Sequence, residues 1–185
     1  MDLVVAPGSL LAAWPDLRDP NFMHTVLLMC QHSEEGAYGL VINRPTELHV
    51  GQVLADHPTL GQSDFPIHLG GPVDHQTLQF VHRVPEAIPG GLPLAEGVFL
   101  GGELDALGEL LLADPVVAVS SVRVLLGYSG WSAGQLDQEL ATGSWVPAPG
   151  SADAVFGSDP AGTWREVVSS VDPALGTLPP DVQWN

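Results

Sequence analysis

At 185 residues, 45% of them hydrophobic, the chain is long enough for one well-buried core and too short for two independent ones without a visible linker. Its 22 acidic residues face five arginines (Arg18, Arg44, Arg83, Arg123, Arg165) and no lysine, a formal charge of −17. That balance excludes the basic stripe of a nucleic-acid-binding protein and disfavours an anionic membrane surface. The first residues, Met1 to Gly8, carry no positive charge, and no run of about 18 apolar residues occurs, so neither a signal peptide nor a membrane span is read. The lone cysteine, Cys30, rules out an intramolecular disulfide and a cysteine metal cluster, and it fits a reducing cytoplasm.

Along the chain, His24 to Cys30 (HTVLLMC) is apolar without alternation, the pattern of a strand covered on both faces. Ser33-Glu34-Glu35-Gly36 supplies a turn, Ala37 to Ile42 resumes strand character, and Pro45 closes the hairpin. Further strands are expected at Pro66–Leu69, Leu78–Val84, Gly97–Leu100 and Val116–Leu126, each bounded by Gly or Pro. Glu103–Ala113 aligns Leu104, Leu107, Leu110 and Leu111 on one helical face, with Pro115 as its stop. Ser132 and Gln135 have capping-box spacing ahead of a helix ended by Gly143. Asp159 and Pro160 open a last helix through Ser170, with Trp164, Val167, Val168 and Val171 as its apolar stripe. Glycine and proline punctuate these runs without collecting into a linker. One domain over 1–185 is expected, with its core at about 8–171 and a Pro-rich, extended tail at 172–185. Strands first and helices in the C-terminal third, without βαβ alternation, predict an α+β fold on a mixed, mainly antiparallel sheet.

Four ordered motifs carry a resemblance: Gly8-Ser9-Leu10-Leu11-Ala12 followed by Asp19-Pro20-Asn21-Phe22; Gly39 to Pro45 (GLVINRP); Gly70-Gly71-Pro72-Val73; and Gly127-Tyr128-Ser129-Gly130-Trp131 with Gly134-Gln135-Leu136. Together, from about Gly8 to Trp164, they resemble the YqgE/AlgH family. The resemblance implies a compact α+β domain, usually bacterial, without an established activity or agreed catalytic residues; some members carry the label of transcriptional regulator. The charge of this chain argues that any such effect arises without DNA contact.

Each candidate for chemistry has a plainer reading beside it. Cys30 and His32 lie two apart on a predicted strand and would share a face, where an imidazolium lowers a thiol pKa; Cys30 also reads as the small, buried end of the VLLM run, the favoured reading. The seven histidines (His24, His32, His49, His57, His68, His75, His82) show no metal-ligand spacing, so no metal and no cofactor is assigned. Ser129 sits in an imperfect G-x-S-x-G, with Trp131 where the elbow needs a small residue, and a tight turn is favoured. Gly70-Gly71 and Gly101-Gly102 read as anion nests or, more simply, as sharp turns.

The place to look for a ligand is Asn43-Arg44, at the end of the second hairpin strand, with Asp19 and Asn21 from the preceding motif and Gly70 and Gly71 nearby. Arg44 suits an anionic ligand, or an ion pair with Asp19 that ties the two motifs together. No catalytic residue is assigned. The favoured function is a non-enzymatic binding or regulatory module acting through a protein partner or small anionic ligand, without nucleic acid or membrane. The alternative is a thiol-dependent or hydrolytic enzyme of unassigned class.

Overall fold

The unbroken apolar runs become strands that are covered twice. In the computed structural model, which describes residues 3–95 and 97–177, β1 (Leu10–Ala13), β2 (Val26–Ser33) and β3 (Gly36–Val41) form antiparallel neighbours. Leu10, Ala12, Val26, Leu28 and Cys30 face one core cluster, whereas Leu11, Ala13, Leu27 and Met29 face another. Alternation of side chains between faces is intact; both faces are simply dry. The hairpin turns at Ser33–Gly36, as the turn residues predict.

β4 (Pro45–His49) leads into α1 (Val50–Val53), and β5 (Pro66–Leu69), β6 (Val73–His82), β7 (Leu92–Ala95) and β8 (Val98–Leu100) follow. Then come α2 (Leu104–Ala113), α3 (Pro115–Ser121), β9 (Val122–Ser132), α4 (Gln135–Ala141), β10 (Trp145–Ala148), α5 (Ala152–Val155) and α6 (Pro160–Val171). The sheet runs β10-β1-β2-β3-β9-β6-β8-β7, with every neighbour antiparallel, and β5 adds a parallel pairing to β9. The fold is therefore mixed α+β around a large antiparallel sheet with six helices among the described residues. Five of those helices begin after residue 103, and α2 and α3 precede the C-terminal third.

β9 is the spine. Its Val122–Tyr128 part pairs with β6, its Val124–Leu126 part also with β5, and its Ser129–Ser132 part with β3. Gly70 fills the gap between β3 and β5, donating its amide to Leu126 O and accepting from Val41 N.

Two expectations are corrected here. Val116–Ser121 is helix, not the start of a strand. Pro115 sits at the first helical position instead of merely stopping α2, and the Asp114 side chain accepts from Val117 N at 3.2 Å. A proline at N1 behind an aspartate cap outweighs the strand propensity of the valines. Likewise α4 starts from Gly134, left-handed at φ 76°, and Ser132 ends β9; half of the anticipated box survives, because Gln135 Oε1 accepts from Ser132 N at 3.0 Å. The tail also differs over 172–177. Leu175–Thr177 forms a 3₁₀ turn, Leu175 packs on the core, and Arg165 donates to Gly176 O at 2.6 Å. Residues 178–185 of the expected tail lie outside the described residues.

Candidate functional site

Asn43 and Arg44 come together with the Asp19–Asn21 turn, through backbone groups. Asn43 Oδ1 accepts from Val26 N at 2.9 Å and its Nδ2 donates to His24 O at 3.0 Å, standing in for a strand partner just past β3. Arg44 donates to Asn21 O at 2.7 Å and to Met23 O at 3.1 Å, and Asp19 Oδ1 accepts from Asn21 N. The guanidinium thus ties the turn to the sheet through carbonyls, where the sequence suggested the Asp19 carboxylate. Burial pushes the Arg44 pKa down, and the field of Asp19 works the other way.

Gly70 and Gly71 meet the other motif. A Cβ on either would run into the backbone of Gly127 or Tyr128, so they permit a close crossing of two chain segments. The Gly70 amide goes to Leu126 O and the Gly101 amide to Phe80 O, which spends one of the successive donors an anion nest would use at each place.

Cys30 and His32 do not share a face. A bulge falls between Met29 and Gln31, and the extra residue resets the alternation. Cys30 lies in the cluster with Leu28 and Tyr38, whereas His32 pairs across with Ala37 and reaches Val5 O at 2.9 Å and Asp137 at 3.0 Å. Burial pushes the Cys30 thiol up to about 12. Ser129 is fully buried, its hydroxyl donating to Gly70 O at 3.2 Å. The histidines take separate tasks, and among the described residues no three His, Cys, Asp or Glu side chains gather as a metal-holding group.

A cavity of about 230 Å³ opens beside Pro45, between the start of β5, the end of α3 and the 157–160 segment before α6. His68 and Arg123 line it, each only 7% exposed. Two of the Arg123 nitrogens are engaged. Nη1 donates to Val119 O at 3.0 Å and to Val122 O at 3.3 Å, and Nη2 donates to Gly157 O. Arg83 Nε donates to Ser120 O at 3.0 Å, so two arginines cap the carbonyl end of α3, as its dipole favours. Arg123 Nε and His68 Nδ1 are buried without a protein partner. Burial, seconded by Arg123, lowers His68 to about 4; burial, seconded by Arg83, lowers Arg123. The imidazole is therefore neutral at physiological pH, beside a cation.

Sequence reasoning passed over both residues, yet one signal was there: Arg123 is the lone charge within Val116 to Leu126 (VVAVSSVRVLL), and a buried charge in an apolar strand needs a reason. His68, one of seven histidines, carried no such mark.

Comparison with known proteins agrees with this architecture. A UPF0301 protein of Chlorobaculum tepidum is 40% identical over 167 residues, 90% of this chain and 87% of its own length. Another, from Vibrio vulnificus, is 38% identical across 85% of this chain and 87% of its own. The solution structure of the AlgH protein from Pseudomonas aeruginosa superposes with a TM-score of 0.68 at 28% identity, covering 92% of each chain. The crystal structure of protein DIP2367 from Corynebacterium diphtheriae gives 0.75 at 25% identity, covering 95% of this chain and 92% of that one. With a family model matched over residues 10–175 as well, this chain belongs to the AlgH-like family.

Proposed function

We propose that the chain is a binding or regulatory module without catalytic activity, working through a small ligand or a protein partner and without touching DNA or RNA. The observation that most supports this reading is the fate of the two nucleophiles an enzyme of thiol or hydrolytic type would use. Cys30 is 6% exposed with its thiol driven to about 12, and Ser129 is buried with its hydroxyl committed to Gly70 O. Among the described residues neither hydrogen-bonds to a histidine or a carboxylate: Cys30 and Ser129 reach the Leu28 and Gly70 carbonyls, and His32 is held by Val5 O and Asp137. A cytoplasmic setting belongs to the same reading, since a lone buried thiol needs no oxidising compartment.

The arginines support the nucleic-acid part. Arg44, Arg83, Arg123 and Arg165, four of the five arginines of this −17 chain, donate to backbone carbonyls as loop clamps, which leaves no basic stripe for phosphates.

Two measurements test the proposal. In native buffer Cys30 is expected to react with a thiol reagent at least about a hundredfold more slowly than in denaturant, since only the thiolate attacks. Fast native labelling would turn the reading toward a thiol enzyme. Fluorescence anisotropy with mixed DNA duplexes at about 150 mM salt is expected to show no saturable binding at micromolar protein, the range where even non-specific binders respond. A saturable, salt-sensitive rise would sink the claim that nucleic acid is not the partner.

A further inference from the structure

We propose that the cavity between β5, α3 and the 157–160 segment is a binding site for a small organic monoanion, a carboxylate on a short apolar body, held by Arg123 and His68. This rests on the binding-module reading and assigns its place and ligand class.

A buried polar atom without a partner is uncommon and costly, and here two residues that bear such nitrogens, Arg123 and His68, line one cavity. The Arg123 guanidinium is fixed by carbonyls at the end of α3 and by Gly157 O, so of its five N–H donors Nε and one on Nη2 are left over. The His68 ring is neutral and carries its proton on Nδ1 if an acceptor is offered there. Fixed N–H donors next to a permanent cation suit the two oxygens of a carboxylate.

The walls set the rest of the ligand. Phe65, Pro66, Val119, Val122 and Pro160 are apolar, and no carboxylate lines the cavity, although the chain has 22 acidic residues. Arg123 is the cation at this cavity; Arg83, close enough to depress its pKa, is itself paired with Asp153 at 3.1 Å. A phosphate dianion would bring three acceptor oxygens and a second charge to a single cation in an apolar cavity, and its desolvation would go uncompensated. A volume of about 230 Å³ is below the 300–1,000 Å³ typical of drug-sized sites, so the ligand has roughly ten heavy atoms or fewer.

The probe is 4-fluorobenzoate, followed by ¹⁹F NMR line broadening, with 4-fluorobenzamide and inorganic phosphate as comparisons. The wild type is expected to bind the carboxylate with a Kd on the order of 1 mM, in keeping with a ligand of this size, and the amide and phosphate at least about tenfold more weakly. Arg123→Met is expected to abolish binding, but it also removes clamps on α3 and can weaken the fold. Val119→Trp provides the independent arm, because Val119 lines the cavity, is 54% exposed and bonds Arg123 only through its backbone carbonyl, so an indole there is expected to occlude the cavity without breaking a hydrogen bond of Arg123. That variant is expected to keep the wild-type melting temperature and lose at least about tenfold in affinity. Binding that Val119→Trp leaves unchanged would place the carboxylate elsewhere and overturn the site, while the module reading stands. Equal binding of the amide or of phosphate would overturn the ligand class. No binding of any probe would overturn the inference and leave the protein-partner form of the module reading intact.

Discussion

Replacing Gly127 with alanine is expected to lower the melting temperature by about 10 °C or more, whereas Gly134→Ala costs only about 3 °C, at 2–4 °C per kcal/mol for a chain of this size. Both glycines are left-handed, at φ 73° and 76°, so each alanine pays the same backbone strain of about 1–2 kcal/mol. Their surroundings differ. A Cβ on Gly127 would lie 2.6 Å from Gly71 O and 3.0 Å from Val73 O, whereas one on Gly134 meets nothing within 4 Å. Backbone carbonyls held in a sheet cannot swing aside as a flexible side chain would, so the crossing has to open, at roughly 1–3 kcal/mol more. Thermal melts of the two variants check this directly. Equal losses would mean that the crossing of the Gly70-Gly71 and Gly127 segments is not the tight contact described above.

The second large effect is on acid stability. His68 is depressed from 6.5 to about 4 by burial and by Arg123. Above pH 6.5 it is neutral in both folded and unfolded chains and contributes nothing to pH dependence. As the pH falls from 6.5 to 4, the unfolded chain takes up a proton that the folded one refuses, so stability is lost across that window, by up to about 3 kcal/mol. Urea unfolding at pH 7 and pH 4 is expected to show His68→Gln losing about 3 kcal/mol less than the wild type over this range, because glutamine has no proton to take. His24 and His82 are also lowered, and they act equally in both proteins, which leaves the difference to His68. Identical acid sensitivity of variant and wild type would show that the ring is hydrated and not buried beside Arg123.

How far these features could be read from sequence depends on the range of the physics behind them. The hairpin of β2 and β3, the helices α2, α4 and α6, and strands β5 and β8 were legible, because turn residues, caps and apolar periodicity act within a few neighbours. β1, β7 and β10 were not. Each has only four residues; β1 and β10 become strands through each other, Leu10 pairing with Ala148 far along the chain, and β7, whose mate β8 is close by, carries Pro93 and no turn signal strong enough to mark it. The bulge at Cys30 was invisible for the same reason, since it is a mismatch between two strands and not a property of one, and with it went the expectation that Cys30 and His32 meet. The motifs led to Arg44, where the geometry shows a clamp onto the Asn21 and Met23 carbonyls. The orphaned nitrogens of His68 and Arg123 come from β5 and β9, paired only in the folded sheet, so no spacing along the chain announces them.

The central position of β9 also fixes when this protein can fold during its own synthesis. β3, β5 and β6 all wait for a partner that begins at Val122, and the outer edge of β1 waits for β10 at Trp145. Until most of the chain has left the ribosome, the VLLMC run of β2 has at most its hairpin mate and one short neighbour, and its two apolar faces lack the cover that α4 and α6 later give. Non-local pairing of this kind makes for slow closure and a long interval of exposed apolar surface. Truncation before Val122 therefore removes the one strand that joins the β1-β2-β3 and β6-β8-β7 halves of the sheet.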